Sequence, residues 1–195
     1  MSETNLIETE IKGIKMKFKT SGKIFSPQNI DKGTLAMLSL VDFKEGDRVL
    51  DLGCGYGVVG ILASKIVGSD NVFMTDVDEK AVKLSIENSI INNVGGIKIL
   101  KSDGFKELSE SGFSIILSNP PYHTDFSVAK EFIEKGFNRL IVGGRMLMVT
   151  KRKDWYKNKL TSIFGGCRTY EIDGYFVFVA EKRETTYAKV KKSKK

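Results

Sequence analysis

The run Leu117-Ser118-Asn119-Pro120-Pro121-Tyr122 brings together residue types suited to holding a flat amine. The two prolines fix φ and confine Asn119 to extended backbone, which makes a stiff ledge. Asn119 offers a side-chain carbonyl, and the Pro120 carbonyl has no competing N–H beside it. A conjugated exocyclic amine is a poor nucleophile because its lone pair is delocalised into the ring. Two acceptors that grip its hydrogens favour a pyramidal nitrogen and aim the lone pair at an electrophile. That is positioning and electrostatics, with no covalent enzyme intermediate. Tyr122 adds a flat surface on which an extruded base can stack. The plainer alternative is an ordinary rigid Pro-Pro turn. His123 comes next, as a substrate contact, a late proton acceptor or a simple loop histidine.

A second constellation is Asp51-Leu52-Gly53-Cys54-Gly55-Tyr56-Gly57-Val58-Val59-Gly60. Glycines at a strand-to-helix joint let the backbone turn sharply and approach a nucleotide-like ligand with no Cβ in the way. Gly55, Gly57 and Gly60 satisfy G-x-G-x-x-G, so a dinucleotide-binding loop has to be weighed, although that pattern alone is weak. Asp51 argues against it, because a carboxylate two residues before the first glycine repels a pyrophosphate and suits a cationic ligand. Asp76, ending the next strand, can accept hydrogen bonds from both hydroxyls of a ribose. The competing structural roles are a turn cap for Asp51 and a helix lead-in for Asp76.

These residues need a scaffold that brings strand ends together. Ile14 to Lys19 alternates apolar and basic residues with the period of a half-buried strand, and Ser21-Gly22 is expected to turn it into Lys23-Ile24-Phe25 as a small N-terminal β-hairpin. A helix follows from Asp31 to Leu40. Strands are expected at Arg48 to Leu52, Asn71 to Thr75, Ile97 to Leu100, Phe113 to Leu117 and Arg145 to Val149. Helices lie between them: Val58 to Val67, one capped by Asp78 and stopping near Asn92-Asn93, and about Ser127 to Leu140. After a helix around Trp155 to Phe164, Asp173-Gly174 joins Cys167 to Ile172 with Tyr175 to Ala180, a strong hairpin signal. The alternation predicts an α/β fold, a doubly wound and mostly parallel sheet with helices on both faces.

Length and composition narrow the classes. A chain of 195 residues with 41% hydrophobic and 28% charged content fits one domain over 1–195. Within it, about 1–34 are expected to form the hairpin and flanking segment and about 185–195 a basic flexible tail. The longest apolar runs, such as Ile115-Ile116-Leu117, fall far short of the roughly 20 residues of a membrane helix. The polar, acidic start is expected to carry no secretory signal. Cys54 and Cys167 lack metal-like spacing and His123 is the single histidine, so no metal site is expected and a reducing cytoplasm fits. The net charge of +7 attracts polyanions. Lys151-Arg152-Lys153 and the tail from Lys189 to Lys195 concentrate it, with solubility as the bland alternative.

The acid-flanked loop D-x-G-x-G-x-G resembles the S-adenosylmethionine loop of class I methyltransferases, and N-P-P-Y resembles the motif of those that methylate amino nitrogens. More narrowly, Phe25-Ser26-Pro27-Gln28-Asn29-Ile30-Asp31-Lys32-Gly33-Thr34 resembles the segment before the cofactor domain in the small-subunit ribosomal RNA methyltransferase C family, which acts on guanine N2. The resemblance implies S-adenosyl-L-methionine as cofactor, held by Asp51, Gly53, Cys54, Gly55, Gly57, Asp76 and Val77. It also implies that Asp103, with Gly104 and Phe105, sits at the adenine, a position where the residues alone allow a plain turn aspartate. Phe25, Asp31, Thr34 and Asn119 would line the same site, although Asp31 could equally be a helix cap. Asn119, Pro120, Pro121 and Tyr122 would carry the chemistry. Tyr122, His123, Lys151, Arg152 and Lys153 would meet ribosomal RNA. The implied sheet order is 3-2-1-4-5-7-6 with the last strand antiparallel.

Size is the departure: many bacterial members carry a second, degenerate half, and none is expected within these 195 residues. RNA recognition would then fall to the hairpin, the basic loops or a partner chain, and a homodimer is compatible with the sequence without being required by it. The same four-residue motif occurs in protein glutamine N5- and adenine N6-methyltransferases, whose extra domains have no room here. A non-catalytic RNA-binding module on the same scaffold is the non-enzymatic alternative, and the intact Asp51, Asp76 and Asn119 argue against it.

Overall fold

Glycine and acid punctuation sets most element boundaries in the computed structural model, which describes residues 4–21, 29–121 and 126–188. The elements run β1 (Thr4–Ile11), β2 (Ile14–Ser21), α1 (Lys32–Leu40), β3 (Val49–Leu52), α2 (Val58–Val67), β4 (Val72–Asp76) and α3 (Glu79–Ile91). They continue with β5 (Lys98–Lys101), β6 (Phe113–Ser118), α4 (Ser127–Arg139), β7 (Leu140–Thr150), α5 (Asp154–Phe164), β8 (Arg168–Ile172) and β9 (Tyr175–Glu181). Asp78 caps α3 by accepting from the Lys80 N–H at 2.9 Å, and left-handed backbone at Asp173 and Gly174 makes the final two-residue turn.

Seven strands form one sheet in the order β5-β4-β3-β6-β7-β9-β8. Counting from β3, this is the expected 3-2-1-4-5-7-6. β3 pairs in parallel with β4 and β6, and β7 in parallel with β6, whereas β9 runs antiparallel to both β7 and β8. Successive residues point to opposite faces, so β3 feeds two cores. Val49 joins a cluster with α1, α2 and β2, while Leu50 and Leu52 join one with α4 and α5. Strand β7 begins five residues earlier than expected. Its pairing with β6 jumps from Phe113↔Leu140 to Ile115↔Arg145, and the bulge leaves Ile141 and Val142 exposed. Among the described residues, no helix is long and apolar enough to cross a membrane.

The N-terminal hairpin differs from expectation. Strand β2 runs through Ser21, the first residue of the expected turn, and pairs with the preceding strand β1. The turn is Lys12-Gly13, with φ of 53° and 76°, the left-handed pair that a two-residue hairpin needs. The expected partner, Lys23 to Phe25, lies outside the described residues.

Helix α3 closes the other edge of β2 with side chains. Asn88 Oδ1 accepts from the Lys19 N–H at 2.7 Å, and Asn88 Nδ2 donates to the carbonyls of Lys19 (3.0 Å) and Tyr56 (2.9 Å). One turn on, Asn92 Oδ1 accepts from the Lys17 N–H at 3.1 Å while its Nδ2 donates to the Lys17 carbonyl at 2.7 Å. Four residues of helix advance about 6 Å, and two residues of strand advance about 6.7 Å, so each asparagine meets every second residue of β2. The amides thus stand in for a neighbouring strand, and Asn88 ties the hairpin to Tyr56 in the glycine loop.

Replacing Asn88 by Ala would strand the Lys19 N–H and two carbonyls. At about 1 kcal/mol for each lost bond, Asn88→Ala should destabilise the protein by roughly 2–4 kcal/mol. Denaturant unfolding measures the loss, and hydrogen exchange should show β2 amides opening before those of β3. An unchanged unfolding midpoint would refute the docking role.

Candidate active site

The parallel strands β3, β4 and β6 end at one edge of the sheet, and their loops surround a cavity of about 460 Å³. The glycine loop is folded back on β4 by bonds from the Gly53 and Cys54 N–H groups to the Thr75 carbonyl, at 2.8 and 2.9 Å. Gly53 and Gly55 have φ of 78° and 55°, and open space lies where a Cβ would stand. A ligand can therefore approach this backbone directly. Gly57 and Gly60 serve packing instead, because a Cβ on Gly60 would lie 2.5 Å from Met74.

Two acids organise the loop. Asp51 is buried, and its Oδ2 accepts from the Gly60 N–H at 2.9 Å across the turn. Asp76 Oδ2 accepts from the Gly55 N–H at 2.8 Å, and its Oδ1 from the Asp78 N–H at 2.9 Å. Burial pushes the Asp51 carboxyl up to about 7, against the Gly60 bond that lowers it and with a smaller push from Asp76. Burial likewise raises Asp76, against the bonds from Asp78 and Gly55. Burial thus penalises the charged form of both acids, and a cation placed beside them would lower that cost.

At the far side, the Ser118 hydroxyl donates to the Leu52 carbonyl at 2.7 Å, tying β6 to β3 just before Asn119. Asn119 Nδ2 donates to Asp31 Oδ2 at 2.8 Å and to Thr34 Oγ1 at 3.1 Å. Asp31 is also the N-cap of α1, accepting from the Thr34 N–H at 2.8 Å through the same oxygen. The two alternatives for Asp31, cap and site residue, therefore coexist.

The cavity wall includes Asp31, Thr34, Asp51, Gly53, Cys54, Gly55, Asp76, Val77, Asp103, Gly104, Asn119, Pro120 and Pro121, gathered from five separate stretches of sequence. Gly57 and Phe105 do not reach it. Gly57 leads into α2, and Phe105 is buried edge-on against Phe132. Asp103 is half exposed and pairs with Lys106. Phe25, Tyr122 and His123 lie outside the described residues. Lys151, Arg152 and Lys153 are not part of the wall. They lie over the rings of Tyr175, Phe126 and Phe176, at 5.1, 5.0 and 5.2 Å. The motif-based reading missed Ile30, Leu52, Tyr56, Val58, Val59, Thr75, Ser102, Val128 and Phe132, which also line the cavity. Val128 and Phe132 are spaced i, i+4 on α4, a pattern shared with any core-facing helix.

The Asp51 shift carries a pH signature. The folded state holds a proton that the unfolded chain releases near the ordinary value of 3.8, until pH passes about 7. Between these values the unfolded state binds fewer protons, so this group makes stability fall as pH rises, with the loss complete above about 7. Asp51→Asn keeps an acceptor for Gly60 and removes the charge. The thermal midpoint of the variant minus that of the ligand-free wild type should climb from about pH 5 to pH 7 and then level off. A pH-independent difference would overturn the buried-charge account.

Residues 15–180 match the family described as Methyltransferase small domain. Ribosomal RNA small subunit methyltransferase C of Pseudomonas putida (strain W619) is 32% identical over 164 residues, covering 82% of this chain and 49% of the relative. The uncharacterized protein YbxB of Bacillus subtilis (strain 168) is 30% identical over 171 residues, covering 85% of each. The structure of the Thermus thermophilus 16S rRNA N2 G1207 methyltransferase, in complex with AdoMet and guanosine, superposes with a TM-score of 0.86. Its identity is 27%, over 94% of this chain and 52% of that one. The chain thus spans about half the length of the methyltransferase C relatives and most of the length of YbxB. On the match over residues 15–180, this chain belongs to the methyltransferase small domain family.

Proposed function

We propose that the protein is an S-adenosylmethionine-dependent methyltransferase whose acceptor is the exocyclic N2 amine of a guanine in small-subunit ribosomal RNA, in the cytoplasm. One observation carries the reading: the Asn119-Pro120 ledge opens onto the same cavity as the acid-flanked glycine loop. The relatives supply the acceptor class, since both the Pseudomonas putida and Thermus thermophilus proteins are named for small-subunit ribosomal RNA methylation.

The residues fit the cofactor. The open backbone at Gly53 and Gly55 admits its sugar and methionine portions, Asp51 and Asp76 offer negative charge to a cation, and Asp76 can accept from ribose hydroxyls. Bound there, S-adenosylmethionine supplies an electrophilic methyl group. Asn119 Oδ1 and the Pro120 carbonyl hold the two hydrogens of the acceptor amine and localise its lone pair for in-line attack. Both carbonyls also face a nitrogen that gains positive charge as its bond to carbon forms, so they bind the transition state more tightly than the neutral amine. Lys151, Arg152 and Lys153 offer cations to the RNA backbone, and Lys151 stands one ring away from the cavity: the Tyr175 ring beneath it abuts Gly33, between the wall residues Asp31 and Thr34.

Titration calorimetry should detect binding of S-adenosylhomocysteine. Asp76→Ala should weaken that binding about ten-fold or more, since a hydrogen bond to a charged group is worth about 1.5–3 kcal/mol. Binding of NAD in place of S-adenosylhomocysteine would sink the cofactor assignment. The acceptor is tested separately, by nucleoside mass spectrometry of ribosomal RNA from cells with and without the gene. Loss of one N2-methylguanosine is the expected result. Unchanged ribosomal RNA together with an unmethylated protein glutamine would redirect the function to protein methylation.

A further inference from the structure

Asn119 is not held by its own backbone alone. Its side-chain amide nitrogen donates to the carboxylate of Asp31 at 2.8 Å and to the hydroxyl of Thr34 at 3.1 Å. A carboxylate oxygen only accepts, so the amide cannot rotate by half a turn without setting oxygen against oxygen. Oδ1 takes no hydrogen bond among the described residues, and Asn119 lines the cavity. The two holders lie at the N-cap and in the first turn of α1, 88 and 85 residues away along the chain.

We propose that Asp31 and Thr34 are positioning residues for methyl transfer, which lock the Asn119 amide so that it meets the acceptor amine as an acceptor only. The proposal rests on the amine-binding reading of Asn119. It assigns the pair to the acceptor side of the site, where resemblance alone would place them with the cofactor. An amide that donates to a carboxylate is polarised, so its oxygen accepts more strongly. That matters most when the bound nitrogen becomes cationic, so the pair should act on the turnover step more than on binding.

Thr34→Val removes the hydroxyl and leaves the backbone N–H that Asp31 caps, so α1 keeps its N-terminus. Thr34→Ser retains the hydroxyl. Asp31→Asn retains an oxygen for both the cap and Asn119 but removes the charge. The assay follows transfer of tritiated methyl from S-adenosylmethionine to total RNA and ribosomal subunits from cells lacking the gene. Thr34→Val should lower kcat about ten-fold, an order set by the loss of one orienting hydrogen bond. The KM for S-adenosylmethionine and the calorimetric affinity for S-adenosylhomocysteine should stay within about two-fold, since binding is spared. Thr34→Ser should restore the rate, and Asp31→Asn should fall between.

Asn119→Ala separates the layers. In that background Thr34→Val should have no further effect, because it acts only through the missing amide. A second readout does not depend on turnover. In nitrogen–proton NMR spectra the Asn119 side-chain pair, assigned by its loss in Asn119→Ala, should move in Thr34→Val and return in Thr34→Ser. Wild-type kcat in Thr34→Val beside an inactive Asn119→Ala would overturn the positioning role and leave the Asn119 reading standing. An active Asn119→Ala, or a wild-type protein with no transfer to these substrates, would overturn both. A fall in S-adenosylhomocysteine affinity in Thr34→Val that matches its fall in kcat would return the pair to the cofactor.

Discussion

The bond between the Asp51 carboxylate and the Gly60 N–H sets the shape of the cavity edge. It spans the turn from β3 into α2, so the backbone between must double back, and it does so onto the Thr75 carbonyl at the end of β4. A carboxylate buried this deeply is costly when charged, which is why its proton is held until about pH 7. The same burial makes the charge strong when it is present, because little water screens it. A neutral residue could close the turn at lower cost. A buried acid at this point is better explained by the cavity it borders than by the fold it closes.

The N-terminal hairpin serves the loop from behind. Phe18 packs edge-on against Tyr56, and Asn88 bonds at once to Lys19 of the hairpin and to Tyr56 of the loop. Tyr56 itself lines the cavity, and burial together with the nearby Asp31 charge holds its phenol protonated, pushed up to about 12. A two-stranded ribbon is marginal in isolation. Docked through two asparagines, it closes one wall of the cluster that also contains α1 and α2. The hairpin therefore behaves as part of the site's foundation, although none of its residues lines the cavity.

The alternating strands and helices were legible in the sequence because each is written as a hydrophobic period with a glycine or acid at its end. Gly68, Asp78 and Asp173-Gly174 are such signals, and each marks the boundary it suggests. Strand β1 was not legible. Its residues Thr4–Ile11 are largely polar, it lies on the outer edge of the ribbon, and its turn is Lys12-Gly13 in place of the more recognisable Asn-Gly. The candidate site was legible where a motif pins the backbone, at Asp51, Asp76 and Asn119. It was not legible at Val128 and Phe132, whose spacing is that of any buried helix face, or at Phe105, which follows the wall residue Gly104 but turns into the core.

What the motifs could not show is how much depends on the first turn of α1. Asp31 and Thr34 grip Asn119 from that turn, while Gly33 between them packs so closely on Tyr175 that a Cβ would come within 2.8 Å of the ring. Lys151 lies over the same ring at 5.1 Å. One helical turn is thus wedged between the amide that would face the acceptor amine and the aromatic surface that carries the cationic cluster. Cations laid on rings are partly ordered beforehand and lose less freedom when they meet a phosphate. Reaction geometry tolerates errors well below 1 Å, so a charged surface that docked RNA independently of Asn119 would gain little. Packing both on one turn would make a shift at the cationic cluster a shift at the amide as well, and the closeness of that packing on Tyr175 is what requires a glycine between the two holders.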